Sequence, residues 1–183
     1  TPTEKDVDAV LIGMPYAQRV QWVEELRKRG VSVIFENGPI FDESRTLYNR
    51  GRIGLNWSSM QDLNARAFEL PAMKLFPVMN SVPDLHKFKF YQSTMIFYDL
   101  NGAIEQVMWA MSHPENIQLL AEQAYQDVQG QTYDARVKTI IRECIIGTDF
   151  SGYMDIVPLE FKFECINFYP GLVVIAVSPI ANT

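Results

Sequence analysis

Short apolar segments that alternate with helix-like segments restrict the fold of this chain more than any other feature. Val7 to Gly13, Val31 to Phe35 and Ile53 to Trp57 are followed by polar turns and then by stretches with helical periodicity. Leu75 to Met79 and Met95 to Tyr98 extend the series. Strands joined by helices run parallel through right-handed crossovers, so helices cover both faces of the sheet. We therefore predict an α/β fold with a Rossmann-like, doubly wound parallel sheet of about five strands.

The segments between these strands have the spacing and end signals of helices. Val31 to Phe35 is apolar except for Ser32, and such a run is typical of a strand that is covered on both faces. Asp99 precedes a helix-like segment, where its side chain is suited to an N-cap, and Pro114 suits the first position of the next helix. The predicted helices cover Tyr16 to Arg29, Asp42 to Asn49, Asp62 to Ala72, a helical turn at Val82 to Phe88, and three segments that begin after Asp99, at Pro114 and after Thr132.

The sequence changes character at about Gly147. Residues 159–165 alternate apolar and charged side chains, Pro170-Gly171 suits a type II turn, and Leu172 to Val177 is wholly apolar. We predict a Rossmann-like domain at residues 1–146 and a C-terminal β-hairpin appendage at residues 147–183. Because a lone hairpin is marginal in water, we expect it to pack on the domain, on another domain, or on a second copy in a homo-oligomer.

Charge and hydropathy exclude several classes of function. The formal net charge is -6, from 16 Lys and Arg against 22 Asp and Glu, which argues against nucleic acid as a partner. No apolar run has the roughly 18 to 20 residues of a membrane span, and we expect a cytoplasmic protein. Cys144 and Cys165 are the only cysteines, so the sequence offers no metal-binding cysteine spacing.

The end of the first predicted strand is one candidate phosphate site. Gly13 ends that strand, and Arg19 lies near the start of the following helix, where backbone amides and a guanidinium can bind a phosphate. The chain has neither the GxGxxG motif of dinucleotide-binding folds nor a Walker motif. The alternative is that Gly13 only ends a strand and that Arg19 is a solvated surface residue.

The end of the third predicted strand is the second candidate. Asn56 and Ser58 follow the strand, and Arg66 and Glu69 lie three residues apart on the next helix-like segment. Open parallel sheets bind ligands at the carboxyl ends of their strands, which places these four side chains in a crevice. The alternative for Arg66 and Glu69 is a simple intrahelical ion pair. Neither histidine has a partner at motif spacing, so we identify no catalytic residue.

Six sequence motifs follow one another in order along the chain. They are Arg52-Ile53-Gly54-Leu55-Asn56, Arg66-Ala67-Phe68-Glu69-Leu70-Pro71-Ala72, Val82-Pro83-Asp84-Leu85, Ile96-Phe97-Tyr98-Asp99, His113-Pro114-Glu115 and Gln131-Thr132-Tyr133-Asp134-Ala135-Arg136. Together they resemble the C-terminal half of GT-B glycosyltransferases, and the closest type is the group 1 family with spore-maturation-like proteins. The resemblance covers roughly residues 6–143. It implies a Gly-containing turn where this sequence has Met73 and Lys74.

The resemblance implies a donor-binding domain and a role for each candidate residue. Glu69 would hold the ribose or sugar of a nucleotide-sugar donor, and Arg66 and Arg19 would bind its diphosphate. Asn56 and Ser58 would line the pocket. Family members need no divalent metal or other cofactor, and their acceptor binds to a separate N-terminal domain. This implies an acceptor domain or partner chain outside the present sequence.

Three hypotheses follow. The first is a glycosyltransferase donor-binding domain that transfers a sugar from a nucleotide-sugar, as a hexosyltransferase, when it is paired with an acceptor domain. The alternative is a catalytically inactive, glycosyltransferase-derived assembly module that uses the hairpin as an interaction surface. The third is an unrelated α/β domain that binds another nucleotide.

Overall fold

Five parallel strands form the central sheet. In chain order they are β1 (Val7–Ile12), β2 (Val33–Glu36), β3 (Gly51–Asn56), β4 (Phe76–Asn80) and β5 (Met95–Phe97). Their spatial order is β2-β1-β3-β4-β5, and every neighbouring pair is parallel. In this order the winding of the chain reverses between β1 and β3, and such a point is where doubly wound sheets bind ligands. The predicted α/β class and five-stranded parallel sheet are confirmed.

The computed structural model describes the backbone of residues 5–142, 161–169 and 172–179, and the side chains of residues 5–140 and 142. The chain divides into two compact units, Thr1–Thr132 and Tyr133–Thr183. The first unit contains the five-stranded sheet. The predicted boundary between residues 146 and 147 lies outside the described residues.

The described residues of the first unit form five α-helices and two short 3-10 helices. Three of the α-helices and both 3-10 helices lie between strands, and the other two α-helices follow β5. The helix after β3 begins at Arg66, not at Asp62 as predicted. Asp62 instead belongs to a turn, since its backbone N–H donates to Ser58 Oγ at 3.1 Å and Asn64 N–H donates to Asp62 O. The helices are α1 (Ala17–Lys28), α2 (Phe41–Arg50), α3 (Arg66–Ala72), α4 (Leu100–Ser112) and α5 (Pro114–Val128), with 3-10 helices at Leu85–Lys87 and Lys89–Ser93.

β2 is an edge strand, and the prediction that both of its faces are covered is wrong. Its first three residues are only half-buried and Glu36 is exposed. β1, which separates β2 from the rest of the sheet, has four fully buried residues at its carboxyl end. The apolar run of β2 therefore reflects its role as a partner of β1 rather than a central position in the sheet.

An aromatic cluster fixes α1 against the carboxyl end of the sheet. Trp22 on α1, Trp57 after β3 and Phe97 on β5 contact one another edge to face, with ring centroids 4.9 to 5.8 Å apart. Trp22 and Phe97 are fully buried, and rings of this size contribute strongly to a core. Arg19 lies one turn before Trp22 on the same buried face of α1. The packing of the rings therefore sets where the Arg19 side chain lies.

The second unit contains α6 (Tyr133–Ile141) and an antiparallel pair of strands, β6 (Phe161–Tyr169) and β7 (Leu172–Pro179). The strand pair confirms the predicted C-terminal β-hairpin, while its predicted turn at Pro170 and Gly171 lies outside the described residues. A register shift between Cys165 and Asn167 marks a bulge in β6. Among the helices that the structure describes, none combines the length and the hydropathy needed to cross a membrane.

Candidate functional site

A cavity of about 790 Å³ opens at the carboxyl ends of β1 and β3. Its walls come from the turn after β1, the loop at residues 37–40, helix α2, the turn after β3 and helix α3. This is the point at which the strand order reverses. Five of the six predicted site residues line this cavity. They are Gly13, Arg19, Ser58, Arg66 and Glu69.

Arg19 is held by backbone carbonyls. Its Nε and Nη2 donate to Trp57 O at 2.9 and 2.6 Å, and its Nη1 donates to Met14 O at 3.1 Å. Arg19 is only 6% exposed, and burial lowers its pKa below the usual value, with the nearby charge of Arg66 acting in the same direction. These contacts are inconsistent with the alternative of a solvated surface residue. The side chain is rigid and remains positively charged at neutral pH.

Arg66 reaches the same point from the other side of the cavity. Its Nε donates to the Tyr48 hydroxyl at 3.1 Å and its Nη1 donates to Asn56 Oδ1 at 3.4 Å. A Cβ added to Gly13 would lie 2.7 Å from Arg66 Nη2 and 3.0 Å from Arg19 Nη1. Both guanidinium groups therefore lie directly over the Gly13 backbone. Because Gly13 has only a hydrogen atom where other residues have a side chain, the two guanidinium groups have room at this position.

Among the described residues, the two guanidinium groups have no carboxylate counterion. In the described part of the chain, no carboxylate forms an ion pair with Arg19 or Arg66. Two like charges held this close repel each other, and an anion between them relieves that repulsion. Arginine presents forked N–H donors that match the oxygens of a phosphate. The arrangement therefore has the charge and the donor geometry that suit a phosphate or diphosphate.

Glu69 lines the same cavity but does not pair with Arg66. Both side chains are described, and Arg66 bonds to Tyr48 and Asn56 instead, so the intrahelical ion pair is absent. Glu69 is exposed on α3. Burial is the main cause that raises the pKa of Tyr48, and the negative charge of Glu69 acts in the same direction, against the effect of Arg66. A carboxylate beside an anion site is suited to accept hydrogen bonds from ligand hydroxyls.

Asn56 and Ser58 have structural contacts. Asn56 is 3% exposed, exchanges hydrogen bonds with Asn64 at 3.0 and 3.3 Å, and reaches the site through Arg66. Ser58 is equally buried, and its N–H donates to Asn80 Oδ1 at 2.7 Å while its hydroxyl donates to Asp62. Asn56 therefore orients Arg66, and Ser58 fixes the turn between β3 and α3.

Sequence reasoning missed Tyr48 and the loop at residues 37–40. Tyr48 is 3% exposed, and burial is the main cause that raises its pKa, so its neutral hydroxyl accepts from Arg66 at neutral pH. In the sequence, Tyr48 lies at helical spacing from polar residues, and nothing there distinguishes it as a site residue.

The mouth of the cavity also has exposed apolar side chains on several loops. They are Met14, Tyr16, Ile40, Phe41 and Met60.

The described residues form no metal centre. Within this part of the chain, no group of three or more His, Cys, Asp and Glu side chains is arranged to hold a metal ion. That the protein needs no metal or other cofactor stays a prediction.

Two solved structures are similar to this chain, and the first of them shares its fold. Sucrose-phosphate synthase from Thermosynechococcus elongatus matches over 76% of this chain with 13% sequence identity and a TM-score of 0.51. The match spans 39% of the synthase chain, so the present chain corresponds to well under half of that enzyme. The C-terminal CMP-Kdo binding domain of WaaA from Acinetobacter baumannii matches over 68% of this chain and 91% of that domain, with 13% identity and a TM-score of 0.44.

Sequence comparison identifies the family. A search of curated proteins found no match. The model of the glycosyl transferase-like family matches residues 3–142, which include every predicted site residue. This chain, whose Rossmann-like fold is similar to that of sucrose-phosphate synthase, therefore belongs to the glycosyl transferase-like family.

Proposed function

We propose that this domain binds the nucleotide-sugar donor of a glycosyltransferase. The convergence of Arg19 and Arg66 over Gly13 carries the proposal, since both lie at the carboxyl edge of the sheet and lack a carboxylate partner among the described residues. A nucleoside diphosphate has the charge and the oxygen spacing that such a pair binds. The family match supports this function and does not favour the alternative of an assembly module.

Each residue then has a chemical role. Arg19 and Arg66 bind the diphosphate and stabilise the negative charge that develops on the leaving nucleoside diphosphate as the glycosidic bond to it breaks. Glu69 accepts hydrogen bonds from hydroxyls of the ribose or the sugar. Tyr48 and Asn56 are positioning residues, because they act through Arg66.

Sugar transfer requires an acceptor site in addition. The donor cavity of about 790 Å³ is open to solvent on one side, where an acceptor can approach. We propose that this acceptor is bound by a further domain or a partner chain. Together they would form a hexosyltransferase that uses a UDP- or GDP-sugar.

Calorimetric titration tests donor binding. UDP-glucose, GDP-mannose and UDP are titrated into the wild-type chain, Arg66→Met and Arg45→Met. Arg45 is the matched control, since it also lines the cavity but is 64% exposed and paired with Asp42 at 3.0 Å. Losing charge-assisted hydrogen bonds of about 1.5–3 kcal/mol should weaken binding by about tenfold to 100-fold in Arg66→Met only. No uptake by the wild-type chain at millimolar concentration would refute the proposal.

The role of Glu69 is tested separately with a ligand that lacks hydroxyls. Glu69→Gln should weaken binding of UDP-glucose and leave the affinity for inorganic pyrophosphate unchanged or higher, because a negative charge near the diphosphate is removed. If both ligands lose affinity equally, Glu69 does not contact the ribose or the sugar.

A further inference from the structure

We propose that a second cavity, at the amino edge of the sheet, binds a small organic anion that has an apolar body. This cavity has a volume of about 380 Å³ and is lined by Lys5, Arg52, Lys74 and the first two turns of α5. Lys5 precedes β1, Arg52 is the second residue of β3, and Lys74 lies two residues before β4. Since the strands are parallel, this cavity is at the opposite end of the sheet from the donor cavity.

Lys5 provides a fixed positive charge at the cavity wall. Its Nζ donates to Gly51 O and to Lys74 O, each at 2.8 Å, which leaves a third N–H. Among the described side chains no carboxylate forms an ion pair with Lys5. Burial and the charges of Arg52 and Lys74 lower the pKa of Lys5 to about 8. An anion at the third N–H would satisfy the donor and offset these two like charges.

The other two cations have partners that hold them in place. Arg52 pairs with Asp8 at 3.1 Å, and Lys74 pairs with Glu122 at 2.7 Å. Among the described residues, three cations and these two carboxylates leave one uncompensated positive charge at the cavity. This balance favours a ligand with a single negative charge, such as a carboxylate, over a phosphate dianion.

The remaining wall of the cavity is apolar. Pro114, Ile117 and Ala121 lie on the face of α5 that lines it, with the Gln118 amide beside them. A volume of a few hundred Å³ with apolar walls and a few converging polar groups is typical of small-molecule sites. The apolar body of the ligand would lie against Ile117 and Ala121, and its carboxylate would face Lys5.

Lys74 contributes both a backbone carbonyl and a side-chain cation to the amino-edge cavity. It adopts the left-handed backbone conformation, with φ of +55°. This conformation accompanies the orientation in which Lys74 O accepts from Lys5, and the Lys74 side chain adds a cation to the cavity. The amino-edge cavity is therefore independent of the donor-binding proposal.

NMR titration of the full chain tests the proposal with three probes. Benzoate has an anion and an apolar body, benzamide is its neutral counterpart, and inorganic phosphate is an anion without an apolar body. Benzoate should give saturable shifts at the Lys5 side chain and the Ile117 and Ala121 amides, with affinity about tenfold or more above that of the other two. The proposal would be overturned if benzamide or phosphate bound with the same affinity as benzoate. It would also be overturned if benzoate gave no saturable shift up to a concentration of about 10 mM, which is on the order of the weakest binding that such a titration measures.

Four variants test whether benzoate binds in this cavity. Lys5→Met should weaken benzoate binding by about tenfold, whereas Lys28→Met, at a lysine that is 68% exposed on α1, should leave it unchanged. If Lys5→Met fails to fold, Ala121→Leu, which fills the cavity and retains every cation, should abolish binding instead. Equal effects of the two lysine variants, or full binding by Ala121→Leu, would place benzoate elsewhere. Arg66→Met should bind benzoate normally, because its donor site is separate.

Discussion

A methyl group on Gly13 tests the arginine pair more directly than removal of either arginine. Gly13 has φ of +144°, a backbone conformation that side chains rarely adopt, and its added Cβ would lie 2.7 Å from Arg66 Nη2 and 3.0 Å from Arg19 Nη1. Ordinary contact begins at 3.4 Å, so Gly13→Ala must displace the Arg66 nitrogen by 0.7 Å and the Arg19 nitrogen by 0.4 Å. Arg19 is anchored to Trp57 O, so most of the movement should fall on Arg66.

Two effects of Gly13→Ala can be estimated. The backbone conformation should lower the free energy of unfolding by about 1–3 kcal/mol. The displacement of Arg66 should weaken one charge-assisted hydrogen bond to the ligand, worth about 1.5–3 kcal/mol, which corresponds to about tenfold to 100-fold in affinity. The first effect is measured by urea unfolding that is followed through tryptophan fluorescence, and the second by calorimetry with UDP and pyrophosphate.

Gly38→Ala is the matched control. Gly38 also has a positive φ, +117°, and lines the same cavity, but no atom lies within 4 Å of the position of its added Cβ. This variant should lose stability to a similar degree and retain its affinity for pyrophosphate. If Gly13→Ala binds pyrophosphate as tightly as Gly38→Ala does, the two guanidinium groups do not converge over Gly13, and the diphosphate site is refuted.

Three further predictions concern stability and are measured by urea unfolding. Phe41 has φ of +48° and a side chain that is 87% exposed, so Phe41→Gly should raise the free energy of unfolding by about 1 kcal/mol. Asp99 caps α4, since its side chain accepts a hydrogen bond from Gly102 N–H at 2.8 Å. Asp99→Ala should therefore lower the free energy of unfolding by about 1 kcal/mol, and Asp99→Asn should lower it less. The pKa of Lys5 in the folded chain, about 8, is below the usual 10.5, so the unfolded chain binds more protons between these values. The free energy of unfolding should therefore rise as the pH is raised from 8 to 10.5, and this rise should be smaller in Lys5→Met.

The sheet could be predicted from the sequence because its signals are local. Each strand is a short apolar run that ends in a polar turn, and the Asp99 cap and Pro114 mark where α4 and α5 begin. The order of the strands is set by packing between distant segments, and the sequence gives no direct measure of it. For this reason the apolar run at Val31 to Phe35 led to a wrong expectation of a fully covered strand, although β2 lies at the edge.

The candidate site could be located from the sequence but not resolved. Strand ends meet at one edge of a parallel sheet, so the sequence places Gly13 and Arg19 at one candidate site and Arg66 at a second one along the same edge. Their mutual contact depends on β1 and β3 being neighbours, and the link from Tyr48 to Arg66 depends on the path of α2. For Ser58 the position in the sequence was misleading. Its place after β3 indicated a ligand contact, but its hydrogen bonds go to Asp62 and Asn80.

In the turn after α3, a residue with a long side chain adopts a backbone conformation that usually favours glycine. A glycine adopts the left-handed conformation at little cost, whereas Lys74 adopts it at φ of +55°. Its ammonium pairs with Glu122 at 2.7 Å and lies 4.5 Å from the Tyr125 ring centroid, so contacts with α5 offset the backbone cost. The α3–β4 turn thereby keeps the conformation that a glycine would favour, and the carboxyl edge of the sheet is undisturbed. The lysine adds positive charge only at the amino edge, which is why an anion site can arise there without altering the arginine pair over Gly13.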